Sequence, residues 1–237
     1  MEEKKEIRLN KYLSDAGICS RREADKLIER GQVFVDGELA FVGMKVLAGQ
    51  NILVNGKKVQ KEEEFILLAV NKPVGVVCTT TTKFKEKTIV QLVRYPKRIY
   101  PIGRLDKSSQ GLILMTNQGE IADKILRGSN YHEKEYSVTV DREIIPDFLE
   151  QMRNGVPILN TITRKCEVKQ TGKKSFSIIL TQGLNRQIRR MCEYCGYRVV
   201  KLKRVRIMNI LLGDLKEGEY RDVTEEERKE LLRLIKD

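Results

Sequence analysis

IYPIGRLDKSSQGLILMT, residues 99–116, sets two apolar segments on either side of a polar loop, GRLDKSSQ. FILLAVNKPVGVVCTT, residues 65–80, repeats the arrangement: it is rich in β-branched residues and is broken at Lys72-Pro73, which predicts two strand pieces joined at a bend. Downstream, EYSVTV (135–140), RKCEVKQ (164–170), SFSIILT (175–181) and RVVKLKRVRI (198–207) read as further strands. Helices are expected over 121–126, 146–153, 185–194 and 224–235, where apolar residues recur at helical spacing. The chain from residue 61 to 237 is therefore an α+β domain whose large, mostly antiparallel sheet is flanked by helices.

Working outward toward the N-terminus, the charged run KKVQKEEEF (57–65) lacks apolar periodicity, and the domain boundary is placed near 58–65, giving a small domain over 1–60. In that small domain Ser20-Arg-Arg-Glu23 has the form of a capping box. It opens a helix with Ala24, Leu27 and Ile28 as its apolar stripe. Leu9, Tyr12, Leu13 and Ala16 make a preceding helix that stops at Gly17. QVFVDGELA (32–40) and NILVNGKKV (51–59) each centre on a favoured hairpin dipeptide, Asp36-Gly37 and Asn55-Gly56, and read as short strands.

The 237 residues carry 45 Lys plus Arg against 33 Asp plus Glu, a net charge of +12 that favours a polyanionic partner. The cations are not scattered. Residues 183–206 hold Arg186, Arg189, Arg190, Arg198, Lys201, Lys203, Arg204 and Arg206 against the single acid Glu193, which reads as a binding surface. No apolar run is long enough to cross a bilayer, and MEEKKEIRLNKY (1–12) lacks the apolar core of a signal peptide, so a cytoplasmic protein with no membrane partner is expected. Five cysteines at irregular spacing read as reduced thiols; Cys192 and Cys195 form a C-x-x-C without a second pair, so no metal site is expected.

Residues 7 to about 57 resemble the S4 RNA-binding domain, and the helix pair there presents Arg8, Lys11, Arg21, Arg22 and Lys26 as phosphate contacts. Residues 66–235 resemble the pseudouridine synthases of the RsuA/RluB/RluE/RluF group through four ordered motifs. These are NKPVGVVCT (71–79), GRLDKSSQGLILMTNQG (103–119), HEKEYSVTV (132–140) and GLNRQIRRMCEYCGY (183–197). PIGRLDKSSQGL, HEKEY, GVPIL and RQIRRMCEYCGY are most similar to the RluF type. That resemblance implies an isomerase acting on 23S ribosomal RNA, with a transfer RNA as an additional target.

The chemistry implied is exacting: uridine must break its C1′–N1 bond and rejoin through C5. The resemblance makes Asp106 the catalytic carboxylate. Attack on C6 of the base, attack on C1′ and removal of the 2′ proton are all open to it. A loop aspartate is otherwise commonly a turn residue. A charged carboxylate in a dry pocket needs a cation, and Arg189 matches the family arginine that pairs with the aspartate, through up to two parallel hydrogen bonds. Tyr136 matches the tyrosine that stacks on the base, and Arg104 the arginine that fills the space of the flipped nucleotide. Arg186, Arg189 and Arg190 fall at i, i+3 and i+4 of the expected helix, so that Arg186 and Arg190 bind phosphate while Ile188 and Met191 face the core. No cofactor is implied, because the isomerisation is neither redox nor energy-driven, and a monomer is expected. The competing readings are a noncatalytic S4-type RNA-binding or ribosome-assembly protein and a synthase of the same group acting on 16S RNA. A DNA-binding regulator lacks a recognition helix with paired half-site logic.

Overall fold

The computed structural model of the protein describes residues 6–60, 64–81 and 85–236, so residues 61–63 of the expected boundary lie outside the described residues. The chain forms two compact units. The first takes in the described residues up to Phe65 together with Pro96–Ile99 and Asn117–Gly119; the second holds Ile66–Tyr95, Tyr100–Thr116 and the remainder from Glu120.

In the first unit β1 (Ile7–Arg8) leads into α1 (Leu9–Asp15) and α2 (Arg21–Glu29), followed by β2 (Val33–Val35), β3 (Glu38–Leu39), β4 (Lys45–Val46), β5 (Ile52–Val54) and β6 (Lys57–Lys58). Ser20 caps α2 by accepting from the Glu23 amide at 3.3 Å. Both hairpin dipeptides take two left-handed residues in succession, Asp36 (φ 51°) with Gly37 (φ 89°) and Asn55 (φ 50°) with Gly56 (φ 75°), the geometry that matches strand twist in a two-residue turn. The resulting sheet has the order β3-β2-β5-β6, while β4 pairs with β1. Leu9, Leu13, Ala24, Ile28, Val33, Val35 and Ile52 fill the core beneath it.

The second unit begins with β7 (Leu67–Lys72), α3 (Ile89–Val93), β8 (Tyr100–Pro101), β9 (Gln110–Thr116), α4 (Gly119–Leu126) and a single 3-10 turn at Gly128–Asn130. It continues through β10 (Lys134–Val140), α5 (Pro146–Asn154), β11 (Pro157–Ile158), β12 (Thr161–Ile162), β13 (Glu167–Gly172) and β14 (Ser175–Leu180). It closes with α6 (Gln187–Tyr194), β15 (Val199–Ile207), β16 (Ile210–Leu211), β17 (Tyr220–Asp222) and α7 (Glu225–Leu234). One nine-stranded sheet runs β13-β14-β10-β15-β9-β7-β17, with β8 and β16 joined at its sides. Its pairings are antiparallel except β15 with β9, where Lys203 and Arg204 lie against Gln110 and Gly111. All six residues of β7 are buried, as a central strand requires. A core of Val138, Phe148, Met152, Phe176, Ile188, Met191 and Tyr197 lies against the sheet, with Phe148 and Tyr197 ring centroids 4.2 Å apart. Among the described residues no helix is long and apolar enough to cross a membrane.

One expected strand piece is missing. After Pro73 the chain does not resume as a strand but loops, because the Lys72 ammonium turns back and donates to the carbonyls of Pro73 and Val76, both at 2.8 Å. Only an isolated bridge from Val77 to Thr88 follows. The short helix α3 was not anticipated; its complete capping box, Thr88 with Gln91, is the signal that marks it.

Candidate active site

Asp106 stands in the loop between β8 and β9, and this loop is tied to the one after β7. The Gly75 amide donates to the Lys107 carbonyl at 2.8 Å, and the Leu105 amide donates to the Cys78 sulfur at 3.4 Å. The Ser109 amide closes the turn onto the Asp106 carbonyl at 3.0 Å. The two loops, with Arg186, border an open cleft of about 470 Å³ lined by Val74, Gly75, Asp106, Lys107, Ser108 and Arg186, a size suited to a small ligand or a single nucleoside. Asp106 is half-buried in it.

Lys72, the last residue of β7, interacts electrostatically with this carboxylate. Lys72 is 0% exposed, and its burial pulls its proton affinity below that of a free ammonium; its interactions with Cys78 and Asp106 oppose that pull, while the Arg204 charge adds to it. Such a buried charge is tolerable only with polar partners, which the two carbonyls supply.

Arg189, 9% exposed, does not grip Asp106 with two parallel hydrogen bonds. Its Nη2 donates to the Ser108 carbonyl at 2.9 Å and the Ser109 hydroxyl at 3.4 Å, and its Nη1 donates to the Val199 carbonyl at 3.3 Å. It therefore holds the backbone that follows Asp106. Its buried Nε has no partner. Burial and the Arg186 charge lower its proton affinity, and Asp106 raises it, so the two groups sense one another across the loop.

Tyr136 is half-buried in β10, in register with Ile178 on β14 and Arg204 on β15. The Arg204 guanidinium carbon is 5.9 Å from the tyrosine ring centroid. Arg204 is 4% exposed; its Nε donates to the Leu112 carbonyl at 2.7 Å and its buried Nη2 has no partner. Lys134 shares the Tyr136 face of β10, and burial followed by the Arg204 charge pushes its ammonium down to about 8.

The other expected site residues are dispersed. Arg104 is exposed two positions before Asp106. Arg186 is not on the helix at all: it caps α6 in a left-handed conformation, φ 50°, and reaches the cleft instead. Arg190 is half-buried and turns back on Asn185, donating to its carbonyl at 3.1 Å and its Oδ1 at 3.3 Å. Ile188 and Met191 are buried in the core as expected. In the first unit Arg8, Arg21, Arg22 and Lys26 are exposed and Lys11 is half-buried.

The basic run 183–206 is not one surface. Strand alternation in β15 and helical periodicity in α6 turn Arg204 and Arg189 inward, and Arg206 bridges Glu133 at 3.0 Å and Glu135 at 2.9 Å. Lys134 and Arg204 were not singled out individually for the site, because a cation in a strand carries no local signal of whether it points outward or inward. Among the described residues no group of three or more His, Cys, Asp or Glu is arranged to hold a metal, and burial pushes the thiols of Cys192 and Cys195 up.

Residues 66–194 match the family model described as RNA pseudouridylate synthase, and residues 7–52 match the S4 domain model. The chain is 54% identical over 230 residues to the dual-specificity RNA pseudouridine synthase RluF of Salmonella typhi, covering 96% of this chain and 79% of that protein. It is 37% identical over 232 residues to the ribosomal large subunit pseudouridine synthase B of Bacillus subtilis, covering 94% of this chain and 95% of that one. A crystal structure of a pseudouridylate synthase superimposes with a TM-score of 0.70 at 26% identity, over 96% of this chain and 99% of that chain.

Proposed function

Because the chain belongs to the RNA pseudouridine synthase family, we propose that it converts a specific uridine of 23S ribosomal RNA to pseudouridine, with a transfer RNA as a further target and Asp106 as the catalytic carboxylate. The observation that carries this reading is the placement of Asp106 in a nucleoside-sized cleft, backed by the buried Lys72 and by Arg189 of α6, which bonds to the aspartate loop.

The extruded uridine enters the cleft with its base on Tyr136, and the Arg204 charge beneath that ring stiffens the stacking surface. Asp106 then acts on C6, on C1′ or on the 2′ proton, and whichever is used, the base detaches, turns and rejoins the sugar through C5. Arg189 fixes the geometry of the aspartate loop through Ser108 and Ser109, and Lys72 holds the facing loop through the carbonyls of Pro73 and Val76. Arg104 fills the space the uridine leaves. Arg186 and Arg190 meet phosphates at the mouth. Residues 1–60 hold the RNA through Arg8, Lys11, Arg21, Arg22 and Lys26, and residues 61–237 carry the chemistry in a cytoplasmic monomer.

The test is tritium release from 23S RNA labelled at uridine C5. Asp106→Asn is expected to lower the rate by at least about 100-fold, the scale of a positioned proton-transfer or nucleophilic group. An active Asp106→Asn protein would remove Asp106 from the mechanism. Pseudouridine mapping of total RNA with and without the gene names the target, and a site found only in 16S RNA would overturn the large-subunit assignment.

A further inference from the structure

Ahead of β10 stands an aromatic ring that the chemistry above leaves unused. Tyr131 is 60% exposed and follows the 3-10 turn in a left-handed conformation, φ 54°. The Arg164 guanidinium carbon lies 4.0 Å from its ring centroid. Arg164 is itself anchored: its Nη1 donates to the Gly128 carbonyl at 2.9 Å and to the Thr181 carbonyl at 3.2 Å. Both acceptors are neutral and both bonds use one nitrogen, so the charge is not cancelled by them and the Nε and Nη2 donors are left over. A left-handed tyrosine held outward carries backbone strain and gains little from burial, which points away from a packing role.

The geometry points to a stacking platform: Tyr131, backed by Arg164, receives an unpaired nucleobase of the substrate RNA, and the spare Arg164 donors take the adjoining phosphate. Aromatic rings and guanidinium planes are the surfaces on which splayed bases of RNA stack. Tyr131 precedes Tyr136 by five residues, so the two rings are within about 18 Å along the chain, and the base received neighbours the target uridine in the RNA. This inference rests on the synthase reading and adds a contact outside the cleft.

The 237-residue chain contains no tryptophan, so a Tyr131→Trp protein has a single reporter of that position. Titration with protein-free 23S RNA transcript is expected to quench its emission at saturation. In the tritium assay Tyr131→Ala is expected to raise KM by roughly 5- to 150-fold, the loss of one base–aromatic stack, with the effect on KM exceeding that on kcat. Tyr131→Phe is expected to keep the parent's KM, and Arg164→Lys, which keeps charge without the plane, to raise KM by less than Tyr131→Ala does. Unmoved tryptophan emission, or a Tyr131→Ala protein whose KM equals the parent's or whose loss lies in kcat alone, would overturn the platform. Failure of the synthase reading is a separate result, a parent that releases no tritium from ribosomal or transfer RNA, and the fluorescence titration judges the platform in that case too.

Discussion

Lys134 and Arg204 are two cations near Tyr136, and the partial burial of Lys134, with the Arg204 charge adding to it, has a measurable consequence. Lys134 falls from an ordinary ammonium value of 10.5 to about 8 on folding. Between those values the unfolded chain keeps a proton that the folded chain has lost, so folding stability gains as pH rises from about 8 toward 10.5. Relative to Lys134→Met, the parent is expected to gain in Tm between pH 7.5 and 9.5, measured by thermal denaturation; a constant difference would mean that Lys134 stays protonated when folded. At this scale Asp106 and Tyr136 could be proposed from the sequence because motifs of several residues surround them. Lys134 and Arg204 could not, because a lysine or arginine in a strand looks the same in sequence whether it points out or in. The partners of Arg189, which are carbonyls of Ser108 and Val199 as well as the Ser109 hydroxyl, are likewise set by chain segments distant in sequence.

Among the elements, the parallel contact of β9 with β15 places the aspartate loop against the strand that carries Arg204. Gly111 makes this possible. Its φ is 105°, and a side chain there would run into the Arg204 backbone amide and carbonyl, which cannot give way without breaking the strand pair. Gly111→Ala is expected to destabilise the protein by about 3 kcal/mol or more, read from the shift in denaturant midpoint at unchanged slope. Full stability in that variant would show that the pairing can open at no cost. Long, strongly patterned segments such as β9, β10, β14, α5 and α7 could be placed from periodicity alone. The end of β7 could not, since it is Lys72 bonding back to Pro73 and Val76 that replaces a second strand piece by a loop. Nor could the start of α6, where left-handed Arg186 leaves the helical face on which simple i, i+3, i+4 spacing had put it.

For the whole molecule, a net charge of +12 makes RNA affinity an electrostatic quantity that counterion release should weaken steeply with salt. The logarithm of the binding constant is expected to fall linearly with the logarithm of salt concentration. A combined Arg21→Gln, Arg22→Gln protein, altered at two exposed positions of α2, should lower that slope by about 1 to 2 while binding weakens for all RNA sequences alike. A flat response in the parent, measured by filter retention, would dissociate the charge from RNA binding. The sequence by itself determined the class of fold, the hairpin turns of the small domain, the basic character and the aspartate motif, because each depends on residues close together in the chain. Tertiary structure alone decided which cations of the run 183–206 serve the surface and which the interior. That choice depends on the direction each side chain takes from β15 and α6, and on carbonyls and rings contributed by segments tens of residues away.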